Sequence, residues 1–413
     1  MRPDDAAPPL LSRPPAAVLL DTTLRDGEQA PGVALGADHK AAYVELAEEA
    51  GIRYLEVGFP QNRLDLEPCR AAARAARQAR VVMMALTTPE SLAIACDAGA
   101  HEVLFVFPAS YSHLAQVYGG SYESLRDRLL ECVSAAAALG VAANVGLEDA
   151  SQGDLPLIFR ILDDLAPVAA DVDCVTIPDT RGQLLPEEVA ELLAHVRRRL
   201  PSRSCRLAFH AHNDLGVATA NSVAALRAPA AADCLHVTAC GFGERAGNAS
   251  LEQLVAIMEC KLGIASGVRP ERLPGLCGFV EEAFWTPVCA HAPVVGAKVF
   301  THESGLHQKA LLRDGRSYQY LDPGRFGRKG HLIFGKHSGS YLRARIAAEA
   351  GCEAEDVLAY QRAMLSRLSP ARRLREELDA LLAAGYVGAP WEQAAAALRR
   401  PHVDGGSHTD TGR

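Results

Sequence analysis

The sequence predicts an α/β protein: a (β/α)8 TIM barrel, then a small linker or lid region and C-terminal helices. Three observations predict it. Short apolar, strand-like segments alternate with amphipathic helical ones eight times between residues 17 and 265. Eight such units in roughly 250 residues is the count for a closed barrel of parallel strands, buried on both faces. The first segment runs into "RDGEQAPG", whereas a doubly wound open sheet carries a G-x-G-x-x-G turn there.

The strand candidates follow in order. They are "AVLLDTTL" from Ala17, "YLEVGF" from Tyr54, "VVMMAL" from Val81 and "EVLFVF" from Glu102. Then come "AANVGLED" from Ala142, "CVTIPDT" from Cys174, "RLAFHAHND" from Arg206 and "CLHVTACGFG" from Cys234. Between them, "ADHKAAYVELAEEAG" and "YESLRDRLLECVSAAAALG" end on glycine, the usual helix stop. "PEEVAELLAHVRRRL" opens on Pro186 and acids and closes on arginines, as the helix dipole favours.

In such a barrel the reactive groups stand where strands end. Those ends offer Arg25 and Asp26, then Glu56, then apolar groups on the third and fourth strands. The fifth offers Glu148 and Asp149, the sixth Asp179 and Thr180. The seventh offers His210, His212, Asn213 and Asp214, and the eighth leads into "GFGERAGN".

Composition narrows the class. Hydrophobic residues make up 49% of 413 and charged residues 22%, which is globular. A net charge of -8 with no long basic run gives nothing to bind a nucleic-acid backbone. Eleven cysteines without a C-x-x-C pair read as free thiols in a reducing compartment. The N-terminus has acids and prolines where a signal peptide has its apolar core, and no uncharged apolar run spans a membrane. A cytoplasmic protein is expected.

His210 and His212 sit two apart on a strand, so their side chains share a face. Two imidazoles and one carboxylate form a facial triad that holds a divalent metal and leaves positions open. Around a closed barrel only strand 8 separates strands 1 and 7, so Asp26 can join them. Asn248 can add a fourth oxygen or an outer hydrogen bond. The competing reading is two buried histidines bonded to backbone. "HESGLHQ" places His302 and His307 beyond the barrel, where a lid or a partner chain would have to bring them to the metal.

Seven stretches between about residues 18 and 340 carry a resemblance: "DTTLRDGEQAPGV", "GLEDAS", "PDTRG", "HAHNDLGVATANS", "GFGERAGNASLE", "VFTHESGLHQKAL" and "GKHSG". Together they resemble the metal-dependent acyltransferases that condense acetyl-CoA with a 2-oxo acid: isopropylmalate, citramalate and homocitrate synthases. "LEDAS", "VVGAKVFTHESGLH", "GKHSG" and a length without the regulatory domain of the leucine-pathway enzymes look most like the nitrogen-fixation type of homocitrate synthase. The resemblance implies Asp26, His210 and His212 as ligands of one divalent ion (Mg, Mn or Zn), with Asn248 the fourth. It implies that Arg25 steadies the developing enolate and the keto oxygen, and that Glu148 and His307 handle protons. It implies Tyr318 as a lid tyrosine, and Gln29 and Thr180 on the substrate carboxylate. It also implies acetyl-CoA as co-substrate and a domain-swapped homodimer, in which His307 and Tyr318 act on the neighbouring barrel.

On this reading the acceptor is 2-oxoglutarate and the product homocitrate. The third and fourth strands end in "MMALTT" and "FVFPAS", without a cation for the second carboxylate. Arg63 and His113 are the nearest candidates. Isopropylmalate, citramalate or phosphonomethylmalate-type synthases are the alternatives, and a metal-dependent aldolase or lyase is the alternative of another class. The expected divisions are a disordered segment 1–16, the barrel 17–265, a linker and lid 266–345, helices 346–400 and a disordered tail 401–413.

Overall fold

The computed structural model describes residues 17–367. Two compact units divide the chain, the first ending at Val288 and the second beginning at Cys289. The N-terminal segment, the part of the expected 346–400 helices beyond residue 367, and the tail lie outside the described residues.

The first unit is a closed barrel of eight parallel strands in sequence order. Strand β1 (Val18–Asp21) is followed by helix α1 (Ala37–Glu49), β2 (Tyr54–Gly58) by α2 (Leu66–Ala75), and β3 (Arg80–Ala85) by α3 (Pro89–Asp97). Next come β4 (Glu102–Pro108) with α4 (Tyr122–Ala138), β5 (Ala142–Glu148) with α5 (Leu155–Asp164), and β6 (Val172–Asp179) with α6 (Pro186–Arg197). Strand β7 (Arg206–Ala211) with α7 (Ala218–Arg227) and β8 (Cys234–Val237) with α8 (Leu251–Ala256) complete the ring. Closure is direct: β8 pairs with β1 from Val18–Cys234 to Asp21–Val237.

Three strands stop well before the sequence suggests, β8 at Val237 among them. β1 ends at Asp21 because the amides of Arg25, Asp26 and Gly27 all turn back onto Thr22 O, at 3.1, 2.8 and 3.2 Å. β7 ends at Ala211, and His212 continues as a single bridge to Asn248.

The barrel interior is filled near its N-terminal end. Leu20, Val82, Leu104, Cys174, Ala208 and Cys234 form one buried cluster. Glu102 is buried beside it and accepts from Arg80 Nε at 2.6 Å and Asn144 Nδ2 at 2.9 Å. That end is plugged, so chemistry is left to the other mouth. Helix α9 (Leu273–Ala283) also belongs to this unit. Its Phe279 ring lies 6.1 Å from Tyr43 on α1, and Arg269 N donates to Ala50 O at 2.7 Å. The barrel unit therefore runs past residue 265.

The second unit pairs β9 (Thr301–His302) with β10 (His331–Leu332) in parallel. Helices α10 (Gly305–Leu311), α11 (Ser340–Ala350) and α12 (Ala354–Arg367) accompany them. Phe334, Leu342, Ile346, Ala347 and Val357 form its core. Gln308, fully buried, ties this unit by donating to Ile333 O at 2.7 Å and His302 O at 3.1 Å.

A buried lysine fastens the first loop of the barrel. Lys40 on α1 donates to Leu24 O at 2.9 Å and Val57 O at 2.7 Å, and pairs with Asp65 at 2.6 Å and Glu28 at 2.7 Å. Only glycine fits at Gly58 (φ +154°), since a Cβ there would meet Asp65 Oδ2 at 2.3 Å. Burial alone would lower the Lys40 pKa, but Asp65 and Glu28 outweigh it and raise the pKa above the usual lysine value. Replacing Lys40 with methionine should strand two carboxylates and two carbonyls. Losing one partner of such a buried pair costs about 3–5 kcal/mol. Urea denaturation should show that loss; an unchanged midpoint would mean that water replaces the ammonium.

Candidate active site

Strand β1 and its loop bring the first charges to the mouth. Arg25 meets Glu56, fully buried on β2, through two parallel bonds: Nε to Oε1 at 2.8 Å and Nη2 to Oε2 at 3.0 Å. This fork fixes the guanidinium plane. The remaining Nη1 lies 3.4 Å from both Asp26 Oδ2 and Gln29 Oε1. Burial would lower the Arg25 pKa, but Glu56 and then Asp26 raise it, so the cation is permanent.

Asp26, His210 and His212 converge. Asp26 Oδ2 lies 3.0 Å from His210 Nε2, which lies 3.3 Å from His212 Nε2. One ligand atom from each lies within 4.8 Å of the others, and all three residues are buried. Burial would raise the Asp26 pKa; Arg25 and the two histidines hold it well below the usual carboxylate range. His212 is pushed down to about 4 by burial and then by His210. It is a neutral imidazole with a lone pair to give.

The donor set fits a divalent metal. Two imidazole nitrogens and an anionic oxygen point at one spot, where their lone pairs repel unless a cation lies between. Asn248 Oδ1 is buried without a hydrogen-bond partner among the described residues, and Asp26 Oδ2 is met by His210 and Arg25. Asn248 is aimed by the β8 loop. Its amide donates to Gly241 O at 2.9 Å and its Nδ2 to Phe242 O at 3.1 Å, leaving Oδ1 over. Gly247 (φ +84°) permits this, since a Cβ there would meet Gly241 O at 2.0 Å.

Two strands from the histidines, Glu148 ends β5 and accepts from Tyr118 Oη at 2.8 Å. Burial and Glu148 push the Tyr118 phenol up, so it remains a donor. Thr180 Oγ1 accepts from Asp149 N at 2.9 Å, while Asp149 is held by Arg181 and Ser110. A cavity of about 260 Å3 is lined by Arg25, Asp26, Gln29, Glu148, Thr180, His210 and His212. Its other walls include Met84, Leu104 and Val106. Beyond Met84, Val106 and Glu148 lies an adjoining chamber of about 310 Å3, lined by Phe59, Leu86 and Phe107 among others.

The structure gathers seven of the ten expected site residues around this cavity, and Asn248 bridges to His212 behind it. His307 and Tyr318 belong to the second unit, where their rings stack at 4.0 Å. Arg63 is exposed and does not line the cavity. His113 lies 3.6 Å from Glu148 and 3.5 Å from Asp149. Sequence reasoning assigned no role to Glu56 and overlooked Tyr118, His236, Glu244 and Arg245. His236, buried 5.3 Å from the His210 ring, also lines the cavity. Only its alternation with Cys234 on β8 signalled that it faces inward.

Fold and site together define a (β/α)8-barrel enzyme whose mouth carries a His-His-Asp cluster beside a clamped arginine. The chain belongs to the HMGL-like family, whose pattern matches residues 16–280; a homocitrate synthase post-HMGL domain-like region matches 294–363. It is 34% identical over 338 residues to an Archaeoglobus fulgidus protein named as an (R)-citramalate synthase, covering 81% of this chain and 68% of that one. It is 32% identical over 349 residues to the 2-isopropylmalate synthase of Methylorubrum populi, covering 82% and 66%. The chain thus spans about two thirds of the length of these relatives. The HMG-CoA lyase of Bacillus subtilis shares the fold, with a TM-score of 0.59 at 20% identity over 67% of this chain and 97% of that one.

Two substitutions separate the site's parts. His212→Ala should lose most bound divalent metal by elemental analysis while keeping its circular dichroism spectrum; unchanged metal content would remove it from the ligand set. Glu56→Gln should keep the metal and lower kcat by about 10- to 100-fold, the usual scale for a misplaced electrostatic stabiliser. An unchanged kcat would show that Arg25 needs no clamp.

Proposed function

We propose that the chain condenses acetyl-CoA with a 2-oxo acid whose side chain is apolar, as a citramalate or isopropylmalate type of synthase. The observation that carries this reading is the cavity itself: a metal-ligand cluster and a fixed arginine at one wall, apolar side chains at another. Bound at Asp26, His210 and His212, a divalent ion (Mg, Mn or Zn) supplies Lewis-acid polarisation of the acceptor's carbonyl. The protein's own groups do the rest. Arg25, held by Glu56, faces the oxygen that gains charge. Glu148, with Tyr118 as its donor, exchanges the proton of the acetyl methyl group. Thr180 and Gln29 hold the acceptor's carboxylate. The names of the curated relatives support the reaction class.

The apolar acceptor is preferred over 2-oxoglutarate, and hence over homocitrate of the nitrogen-fixation type, on charge grounds. The arginines lining the cavity, Arg25 and Arg245, are already engaged by Glu56 and by Asp214 at 2.9 Å. Within this cavity a distal carboxylate, or a phosphonate, would face Met84, Leu104 and Val106, with Arg128 only in the adjoining chamber, and a buried unpaired charge costs several kcal/mol. On the unmodified protein, kcat/KM for 2-oxoisovalerate or pyruvate should exceed that for 2-oxoglutarate by roughly 100-fold, equivalent to about 2.7 kcal/mol. The reverse preference would restore homocitrate as the product, and release of no CoA with any 2-oxo acid would point to a lyase.

We also propose that the active unit is a homodimer in which each barrel is completed by His307 and Tyr318 of the second copy. The second unit leaves Leu306 at 66%, Tyr318 at 45% and Tyr320 at 71% exposure, an apolar and aromatic surface suited to a partner. Mixing inactive Arg25→Ala and His307→Ala proteins under subunit exchange should restore part of the activity. Full activity in a monomer would exclude sharing.

A further inference from the structure

Behind the β8 loop, two thiols face each other across a buried carboxylate. The Sγ atoms of Cys240 and Cys277 and a carboxylate oxygen of Glu252 all lie within 4.8 Å of one another. Cys277 on α9 and Glu252 on α8 are buried, whereas Cys240 is partly open to solvent. The Cys240 thiol approaches Cys277 O at 3.9 Å, and the Cys277 thiol approaches Glu252 Oε2 at 3.8 Å. Cys240 holds φ +60°, a conformation non-glycine residues seldom take, and its amide is anchored on Glu252 Oε2 at 3.0 Å.

We infer that Cys240 and Cys277 form a disulfide when the protein meets a hydroperoxide, and that this bond turns the barrel site off. The Cys240 sulfur attacks a peroxide oxygen; the O–O bond breaks, an alcohol or water leaves with the thiol proton, and a sulfenic acid remains. The Cys277 sulfur then attacks the Cys240 sulfur, the S–O bond breaks, and water leaves with the second thiol proton. The two thiols lose two electrons and the peroxide gains them.

A thiol pair explains the cluster better than a second metal centre. Structural zinc takes four protein ligands, and this cluster groups three among the described residues. Glu252 accepts from the Cys240 amide and is approached by the Cys277 thiol and the Ser250 side chain. The Glu252 carboxyl is pushed up by burial, and Cys277 by its bond with Cys240 and by burial, which leaves the more open Cys240 as the thiol that meets the peroxide. Cys174 and Cys234 also face one interior, but rigid strands of the closed barrel carry them.

The link to the active site is the turn that carries Cys240. Ala239 N donates to Thr23 Oγ1 at 2.8 Å, and Gly241 O accepts from Asn248 N at 2.9 Å. A disulfide holds its sulfurs about 2.05 Å apart, so closure draws this turn towards α9. That movement loosens both bonds, the first behind the loop of Arg25 and Asp26, the second behind Asn248.

The test uses the full chain with its metal. Treatment with hydrogen peroxide, alkylation and peptide mass spectrometry should find a Cys240–Cys277 cross-link lighter by two hydrogens. Activity should fall at least tenfold in step with the cross-link and return with dithiothreitol. Cys277→Ser, and Cys240→Ala at the more open and tolerant position, should keep their activity through the same treatment. The inference is overturned if other thiols oxidise and this pair does not, if the cross-link leaves activity intact, or if both variants are inactivated like the parent. Zinc bound one-to-one in the His212→Ala protein, and blocking the cross-link, would also overturn it. The cross-link is read on the protein itself, so the outcome is independent of the acceptor.

Discussion

The mouth of this barrel depends on one constraint, the pairing of β8 back onto β1. Until Val18–Asp21 lies along Cys234–Val237, Asp26 and His210 are separated by most of the unit. Closure leaves only β8 between the strands that carry them, and the carboxylate comes within 3.0 Å of the imidazole. No local propensity supplies that approach. It follows from eight parallel strands, a matched stagger and a filled interior.

Closure alone would leave the β1 loop free to move, and two buried networks fasten it. Lys40 holds the loop from α1 through Leu24 O. Beneath it Asp21 accepts from Tyr43 Oη at 2.6 Å and from Thr23 N at 2.9 Å, and Thr23 Oγ1 receives the amide of Ala239. Burial raises the Asp21 pKa above the usual carboxylate value. Both networks place polar groups where unpaired ones would be costly, so each bond is needed once the others exist. The loop of Arg25 and Asp26 is thereby joined to α1 and to the turn after β8, the two elements that flank it.

Charge in the mouth is committed before any ligand arrives. Glu56 takes Arg25, Asp214 takes Arg245, and Arg181 and Ser110 hold Asp149 beneath Glu148. The cluster of Asp26, His210 and His212 keeps its ligand atoms within 4.8 Å of one another, and Asn248 Oδ1 beside it is buried without a hydrogen-bond partner among the described residues. Such a site is pre-organised for a cation and for one developing negative oxygen. Its wall of Met84, Leu104 and Val106 is apolar.

Much of this was legible in the chain. Eight alternations of strand and helix patterns specify a barrel, and strand ends specify its mouth, because a period of two and a period of 3.6 are local properties. H-x-H on a strand specifies two imidazoles on one face for the same reason. The barrel rule placed Asp26, Glu148 and Thr180 at the mouth, where they line one cavity, and the resemblance proposes their roles. The acceptor did not follow, since motifs shared by several synthases record the common chemistry and not the wall that meets the variable end. Nor did the partnerships of Arg25 with Glu56, Glu148 with Tyr118, or Cys240 with Cys277. Each joins different strands, loops or helices, and sequence spacing carries no information about which side chains face each other across space. The sequence by itself determined the barrel, its reactive end and the side chains that stand there; only the tertiary structure decided which charges neutralise one another, because that depends on distances set by closure.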